Sequence, residues 1–193
     1  MRGPELSPRL RMVGELVPEG ARLADVGTDH AYLPAALILE GKIPWAIAAD
    51  LRQGPLNRAR ATVREYGLTG KVAFRLCDGL SGIRPGEVDA VAAAGMGGET
   101  IAAILAAAPW TLERDIPLIL QPMSSFPDLR KWLGENGFAI EKGKLFTPPC
   151  WSGQGRWPPC PRRSCGRGRT RPILCAGIGW TAGWPESAGR WRG

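Results

Sequence analysis

The stretch ADVGTDHAYLP, residues 24–34, holds the single histidine of the 193-residue chain. Asp25, Asp29 and His30 stand there between the end of one apolar run and the start of the next. Two carboxylates at such a junction repel an anion such as a pyrophosphate and attract a cation. We therefore expect this junction to bind a positively charged ligand.

Three further junctions carry residues suited to binding. Asp50 ends the apolar run WAIAAD, Asp78 follows KVAFRLC, and the glycine-rich AGMGG follows EVDAVAA. An acid that ends the second strand of a nucleotide-binding sheet accepts both hydroxyls of a ribose. Asp78 is suited to the amino group of an adenine, and the glycines allow a ligand to approach the backbone closely.

Each of these features also has a purely structural interpretation. Gly27 could form only a tight turn, and Asp29 could serve only as the N-cap of a helix that begins near Tyr32. Glycines at a strand-to-helix turn are weak evidence of binding when taken alone. The coincidence of four such junctions in one chain favours a ligand site.

The first junction also distinguishes between nucleoside cofactors. A dinucleotide site needs G-x-G-x-x-G, so that the pyrophosphate lies on a helix N-terminus, but residues 27–32 read GTDHAY. S-adenosylmethionine carries a sulfonium, an ammonium and an adenosine, which suit a site lined by acids. The sequence thus favours S-adenosylmethionine, and it disfavours an NAD-binding dehydrogenase domain.

The elements that must position these residues follow from an alternation of strand-like and helix-like segments. Ser7 and Pro8 are typical of an N-cap and a first helical residue, and they open the first helix. The strand candidates are residues 21–27, 45–50, 71–80, 87–98, 116–122 and 138–146. This pattern predicts an α/β fold: a doubly wound, mostly parallel sheet with helices on both faces. Ligands of such sheets bind outside the carboxyl ends of the strands, where the four junctions lie.

The charges divide the chain into two parts. Residues 1–146 hold 17 Lys and Arg against 17 Asp and Glu, whereas residues 147–193 hold 8 Arg and one acid, so the net charge of +7 lies in the second part. The second part is also rich in Trp, Pro, Gly and Cys and shows no helix or strand period. We expect a folded domain over residues 1–146 and an irregular tail over residues 147–193.

Three explanations of the tail are open. Its cysteines lack the short C-x₂₋₄-C pairs of a zinc site, so we expect no metal; they are Cys150, Cys160, Cys165 and Cys175. A basic, aromatic tail could bind RNA through phosphate contacts and stacking. Arg without Lys, together with Gly, Pro, Trp, Cys and Ala, is also what GC-rich codons give out of frame. We favour this last hypothesis, a shift of reading frame near residues 145–150.

Nothing in the sequence favours a membrane or an export signal. The apolar residues 173–184 fall far short of the ~20 residues that a membrane span needs. The first residues lack a stretch of signal-peptide type, and one cysteine before residue 147 fits a reducing compartment. We expect a cytoplasmic protein, and the sequence leaves the oligomeric state open.

Several segments resemble one known family, the bacterial tRNA (adenine-N1) methyltransferases that modify the adenosine at position 22 of tRNA. The resemblance lies in LSPRL, ADVGTDHAYLP, AAD followed by Gly54-Pro55, CDGL, AGMGG, and LQP with DLRKWLGENGF. DVGTDHAYLP combined with AGMGG is highly specific, and the resemblance covers roughly residues 6–146. It implies a seven-stranded methyltransferase sheet, S-adenosylmethionine as cofactor and tRNA as partner.

The resemblance also implies roles for the residues at the junctions. The N1 lone pair of adenine attacks the methyl group directly, so positive charge moves from sulfur to the purine. Asp29 is the candidate that stabilises this charge, and His30 is the candidate that orients Asp29 or contacts the base. N1 is hidden in a paired base, so the target is unpaired or flipped out. The candidate cofactor-binding residues are Asp25, Gly27, Thr28, Asp50, Leu51, Asp78, Gly79, Gly95, Met96, Gly97 and Gly98.

The sequence departs from the family at two places. Met123 stands where the resemblance implies a polar residue such as Asn. The tail replaces the seventh strand, which in the family lies antiparallel between the fifth and sixth, together with a helical C-terminal region. We therefore expect a sheet that lacks its last strand and has an apolar edge at residues 116–122. The alternative to an active enzyme is an inactive or cofactor-binding-only product of a frameshifted gene.

Overall fold

The computed structural model describes residues 3–114, 116–146 and 171–178 of the chain. Within them, the six predicted strands are present and helices separate them, except between the third and the fourth; a short additional helix lies at 110–113 and an additional strand at 171–178. In chain order the elements are α1 Pro8–Leu16, β1 Leu23–Val26, α2 Tyr32–Leu39, β2 Ala46–Asp50, α3 Gln53–Glu65, β3 Val72–Leu76, β4 Ala90–Met96, α4 Gly98–Ala106, α5 Trp110–Glu113, β5 Leu118–Pro122, α6 Phe126–Glu135, β6 Phe138–Phe146 and β7 Arg171–Ile178.

The strands form one sheet in the order β3-β2-β1-β4-β5-β7-β6. Every pair of neighbouring strands among the described residues is parallel. The direction of winding reverses between β1 and β4, which is the switch point at which such sheets bind ligands. The register places Asp25 opposite Ala48 on β2 and Ala92 on β4. The predicted doubly wound α/β fold is confirmed.

Helices cover both faces of the sheet because its strands are apolar on both sides. On β1, Leu23 packs with α1, α2 and α3, whereas Ala24 and Val26 pack with α4 and α6. The same alternation recurs on β2, β4 and β5, as side chains of successive strand residues point to opposite faces. The two resulting cores hold the strand ends, and therefore the junctions, in fixed positions.

The beginning of α1 follows the capping pattern seen in the sequence. The Ser7 hydroxyl accepts a hydrogen bond from the backbone N–H of Leu10 at 3.4 Å, and Pro8 is the first helical residue. The cap satisfies one of the N–H groups that a helix N-terminus leaves free. It fixes where α1 starts relative to the sheet, and hence where Arg9 lies. None of the helices in the described part of the chain is long and apolar enough to cross a membrane.

The structure differs from our expectation at the last strand. Residues 171–178 form β7 between β5 and β6, the position that we expected to be empty, and β7 runs parallel to both neighbours instead of antiparallel. The physical reason is that β5 is buried along its whole length and needs a hydrogen-bonded neighbour on each side. The run ILCAGI is long enough for a strand, and it holds all of the Ile and Leu residues of the tail. Residues 147–170 and 179–193, on which the other predictions for the tail fall, lie outside the described residues.

Candidate active site

A cavity of about 250 Å³ lies at the carboxyl ends of the first four strands. It brings together six of the residues predicted to bind a cofactor: Gly27, Asp50, Leu51, Asp78, Gly79 and Met96. Its other lining residues are Val26, Ala49, Arg52, Cys77, Thr100 and Ile104. The cavity therefore lies where sheets of this topology bind ligands. A larger groove of about 500 Å³ adjoins it along α4 and shares Asp78, Thr100 and Ile104 with it.

The junction after β1 is fixed by its backbone. The N–H groups of Gly27 and Thr28 both donate to the carbonyl oxygen of Ala49, at 2.9 and 3.0 Å. Gly27 has a φ of +75°, which favours glycine. Its Cα faces the end of the Met96 side chain, so the junction after β1 and the loop after β4 meet at the cavity.

Asp25 and Thr28 flank Val26 and Gly27, which line the cavity, and both are buried. The Asp25 side chain is buried, and this burial raises its pKa to about 6; the Thr28 hydroxyl opposes the shift and the Asp50 carboxylate adds to it. The buried Thr28 hydroxyl lacks the geometry of a full hydrogen bond to any described residue. A carboxyl whose burial disfavours ionisation is suited to a ligand that brings positive charge.

The two acids that line the cavity differ in their surroundings. The side chain of Asp50 is only 10% exposed, and its Oδ1 accepts a hydrogen bond from the backbone N–H of Arg52 at 2.8 Å. Asp78 is exposed at the rim of the cavity. Next to it, Gly79 has a φ of +53°, and a Cβ there would lie 2.8 Å from Ile104. Asp50 is thus held in one orientation, whereas Asp78 is open to solvent.

Asp29 and His30 do not line the cavity. The side chain of Asp29 is 62% exposed and forms an ion pair with Arg58 of α3, and its Oδ2 lies 3.3 Å from Nε2 of His30. The His30 ring stacks on that of Tyr32, with centroids 5.0 Å apart. The N-cap of α2 is Ala31, with a φ of +54° and no side-chain cap, so Asp29 is not the N-cap that its sequence position suggested.

The three glycines of AGMGG pack closely against other protein atoms. A Cβ on Gly98 would lie 2.6 Å from the carbonyl oxygen of Ser125, and one on Gly97 would lie 3.2 Å from Oγ of Ser124. Gly95 has a φ of +81° and faces the guanidinium of Arg9. These three glycines do not line the cavity, and close protein neighbours account for each.

Sequence reasoning missed Arg9 and Gln121 as residues of this region. Nη1 of Arg9 donates to Oε1 of the fully buried Gln121, and the same oxygen accepts from the backbone N–H of Gly95 at 3.0 Å. Both residues lie in segments of the family resemblance, Arg9 in LSPRL and Gln121 in LQP, but no role at the site was assigned to either. Met123, the departure noted above, is 49% exposed. Among the described residues, no group of three or more His, Cys, Asp or Glu side chains could hold a metal ion.

Comparisons with known proteins agree with this geometry. A tRNA (adenine(22)-N(1))-methyltransferase of Bacillus subtilis (strain 168) is 43% identical over 149 residues, which cover 74% of this chain and 63% of the relative. A putative tRNA (m1A22) methyltransferase of Streptococcus pneumoniae, solved in complex with S-adenosyl-L-methionine, is 41% identical with a TM-score of 0.66. The match covers 69% of this chain and 63% of that one.

A second solved structure is TrmK of M. capricolum in complex with S-adenosyl-homocysteine. It is 34% identical, with a TM-score of 0.63, over 71% of this chain and 61% of that one. The chain thus spans less than two-thirds of the length of these relatives, and the resemblance inferred from its motifs is confirmed. The family model described as a methyltransferase domain matches residues 6–148, which is most of the chain. The protein therefore belongs to the family of methyltransferase domains.

Proposed function

We propose that this protein binds S-adenosylmethionine and transfers its methyl group to N1 of an adenosine in tRNA. The observation that carries the proposal is the cavity at the carboxyl ends of β1 to β4, which is lined by Asp50 and Asp78 and by Val26, the residue after the buried Asp25. The relative from Bacillus subtilis supports the reaction, and the complex from Streptococcus pneumoniae supports the cofactor. A tRNA substrate is consistent with a cytoplasmic location.

Each acid is proposed to bind a different part of the cofactor. We propose that the oriented carboxylate of Asp50 accepts hydrogen bonds from the ribose hydroxyls, and that Asp78 at the rim accepts one from the adenine amino group; the bond from Arg52 and the cavity lining support these roles. Gly27 and Met96 bound the cavity on the side of β1 and β4. The ammonium and sulfonium of the cofactor offset the repulsion between Asp25 and Asp50, whereas a pyrophosphate would add to it. We therefore propose S-adenosylmethionine in preference to NAD.

The reaction needs no base before methyl transfer. The N1 lone pair of adenine forms a bond to the methyl carbon, the bond between carbon and sulfur breaks, and its electron pair returns to sulfur. The products are S-adenosylhomocysteine and a cationic N1-methyladenosine. We propose that Asp29 stabilises the cation in the transition state and that His30 positions Asp29 or contacts the base. The ion pair with Arg58 orients Asp29 but also offsets its charge, so this role depends on how the bound RNA changes that pair.

Two measurements on the 193-residue chain test the proposal. Isothermal titration calorimetry with S-adenosylmethionine and with NAD compares the two cofactors, and we expect binding of the first only. Labelled methyl transfer to tRNA, followed by mass spectrometry of the nucleosides, then detects N1-methyladenosine. Binding of NAD in place of S-adenosylmethionine contradicts the cofactor assignment. Cofactor binding without methyl transfer supports the alternative of a cofactor-binding-only product.

A further inference from the structure

Arg9 is held in one place by a buried amide. The carboxamide of Gln121 is fully buried, and its Nε2 donates to the carbonyl oxygen of Pro122 at 2.8 Å. This bond turns Oε1 towards Arg9 and Gly95, and it accepts a hydrogen bond from each. The guanidinium lies close against Gly95, because a Cβ there would be 3.2 Å from Nη1. A side chain that starts on α1 is thereby fixed at the carboxyl ends of β4 and β5.

The charge of Arg9 has no carboxylate partner within the described residues. Arg11, Arg22 and Arg58 each form an ion pair with an acid, whereas the hydrogen bond of Arg9 goes to the neutral amide of Gln121. A guanidinium has five N–H donors, and a partly buried charge is costly when it is unpaired. Phosphate oxygens match its fork of donors and its charge. The site therefore suits an anion that comes from outside the described fold.

The position of Arg9 complements that of the acids. Asp50 and Asp78 lie at the ends of β2 and β3, on the side proposed for the cationic cofactor. Arg9 lies on the opposite side of the switch point, beside the loop whose Met96 lines the cavity. At the carboxyl ends of the strands, the negative charges of Asp50 and Asp78 thus lie on the cofactor side of the switch point, and the positive charge of Arg9 lies on the other side.

We propose that Arg9, oriented by Gln121, binds a backbone phosphate of the RNA substrate next to the reacting adenosine. The inference deepens the proposed function and depends on it for the identity of the substrate. It assigns a contact to RNA within the methyltransferase domain, separate from any contact made by the eight arginines of residues 147–193. Neither of the tests below needs methyl transfer, so they can fail or succeed independently of the proposed function.

The first test measures the salt dependence of tRNA binding by fluorescence anisotropy from ~50 to ~200 mM KCl, where phosphate contacts dominate affinity. Arg9→Gln should make the slope of log K against log salt shallower by about 0.7 to 0.9, the value of one lost phosphate contact. Arg11→Gln is the matched control, because it removes the same charge from the same helix. The unaltered protein and the two variants share the same tail, so its contribution cancels when their slopes are compared. An equal change of slope in both variants, or none in Arg9→Gln, overturns the proposal.

The second test uses the unaltered chain and does not depend on whether a variant folds. An arginine-selective dicarbonyl reagent modifies the protein with and without tRNA, and peptide mass spectrometry measures modification at Arg9 and Arg11. We expect tRNA to protect Arg9 and to leave Arg11 unchanged, and S-adenosylmethionine to protect neither. Equal modification of Arg9 with and without tRNA overturns the proposal. Equal protection of Arg9 by tRNA and by inorganic phosphate at the same phosphate concentration also overturns it, since it indicates a site for the free anion.

Discussion

Met96 lies directly over Gly27: its Cε is 2.6 Å from the point that a Cβ on Gly27 would occupy. Met96 ends β4 and Gly27 lies in the junction after β1; 68 residues separate the two in sequence, and the switch point brings them together. Gly27 also has a φ of +75°, at which a side chain is strained. The contact between Met96 and Gly27 therefore forms the wall of the cavity between β1 and β4. A glycine is needed at position 27 both for the turn and for the close approach of Met96.

Gly27→Ala should weaken binding of S-adenosylmethionine by about tenfold or more, or ~1.4 kcal/mol, because the new methyl group pushes Met96 within the cavity. Gly41→Ala is the matched control, since Gly41 has a φ of +73° and nothing within 4 Å of its Cβ position. Both variants should lose about 1 kcal/mol of stability from backbone strain. Titration calorimetry should find the affinity lowered in Gly27→Ala only. Equal cofactor affinity in the two variants would show that Met96 does not bound the site.

Asp50→Ala should weaken the binding of S-adenosylmethionine more than Asp78→Ala does. The carboxylate of Asp50 is 10% exposed and oriented by the N–H of Arg52, whereas Asp78 is exposed, and a buried polar group loses more when its partner is removed. We expect a loss of ~1 to 3 kcal/mol for Asp50→Ala and a smaller loss for Asp78→Ala. Calorimetry with S-adenosylmethionine measures both. An unchanged dissociation constant in either variant would remove that acid from the site.

The sequence was sufficient to predict the strands, the helices and the acids at the strand ends, because these depend on local period and on where an apolar run stops. Gly27, Asp50 and Asp78 follow or end apolar runs in this way, and all three line one cavity in the structure. The bond between Arg9 and Gln121 joins residues 112 positions apart, so no local pattern indicates it.

The position of β7 was not predictable for a related reason. Residues 171–178 hold all of the Ile and Leu of residues 147–193, but a short apolar run does not show which strands it pairs with, and its place depends on the need of β5 for a neighbour. The glycines of AGMGG illustrate a second ambiguity of the sequence. A glycine that admits a ligand and a glycine that admits another loop look alike in sequence, and Gly98 faces the carbonyl oxygens of Ser124 and Ser125.

Gly98→Ala should destabilise the protein, by ~1 to 3 kcal/mol, because its methyl group would lie 2.6 Å from the backbone oxygen of Ser125 and force the two loops apart. Gly134→Ala is the control within a helix. Gly134 lies in α6 with nothing within 4 Å of its Cβ position, so alanine there should stabilise the protein by up to about 1 kcal/mol. Urea unfolding measures both changes. If Gly98→Ala is as stable as the unaltered protein, the loops after β4 and β5 are not rigidly packed.

Asp29→Ala should lower the rate of methyl transfer by at least about tenfold while cofactor affinity changes little, because the charge that Asp29 stabilises develops only in the transition state. Single-turnover transfer to tRNA and calorimetry with S-adenosylmethionine measure the two effects. Arg58→Ala separates this role from a structural one, since it breaks the same ion pair and keeps the carboxylate. If Arg58→Ala reduces the rate as much as Asp29→Ala does, then Asp29 serves only to tie its loop to α3.

Asp25→Asn should change the dependence of stability on pH. Burial raises the pKa of Asp25 to about 6, so the folded protein binds a proton more tightly than the unfolded chain does. The stability that this proton contributes is complete below the unfolded pKa of about 4 and is lost as pH rises through about 6. Two units of pKa correspond to roughly 3 kcal/mol, and asparagine at this position removes the dependence.

The expected result is therefore that Asp25→Asn gains stability over the unaltered protein between pH 4.5 and pH 7.5, on the order of 1 to 3 kcal/mol. Urea unfolding of both proteins at each pH measures the difference, in which the titration of all other groups cancels. Asp89→Asn is a control of opposite sign, because hydrogen bonds from Arg22 lower the pKa of Asp89 to about 2 and its stabilising charge is lost on substitution. A difference between Asp25→Asn and the unaltered protein that stays constant with pH would show that Asp25 is already ionised in the folded protein.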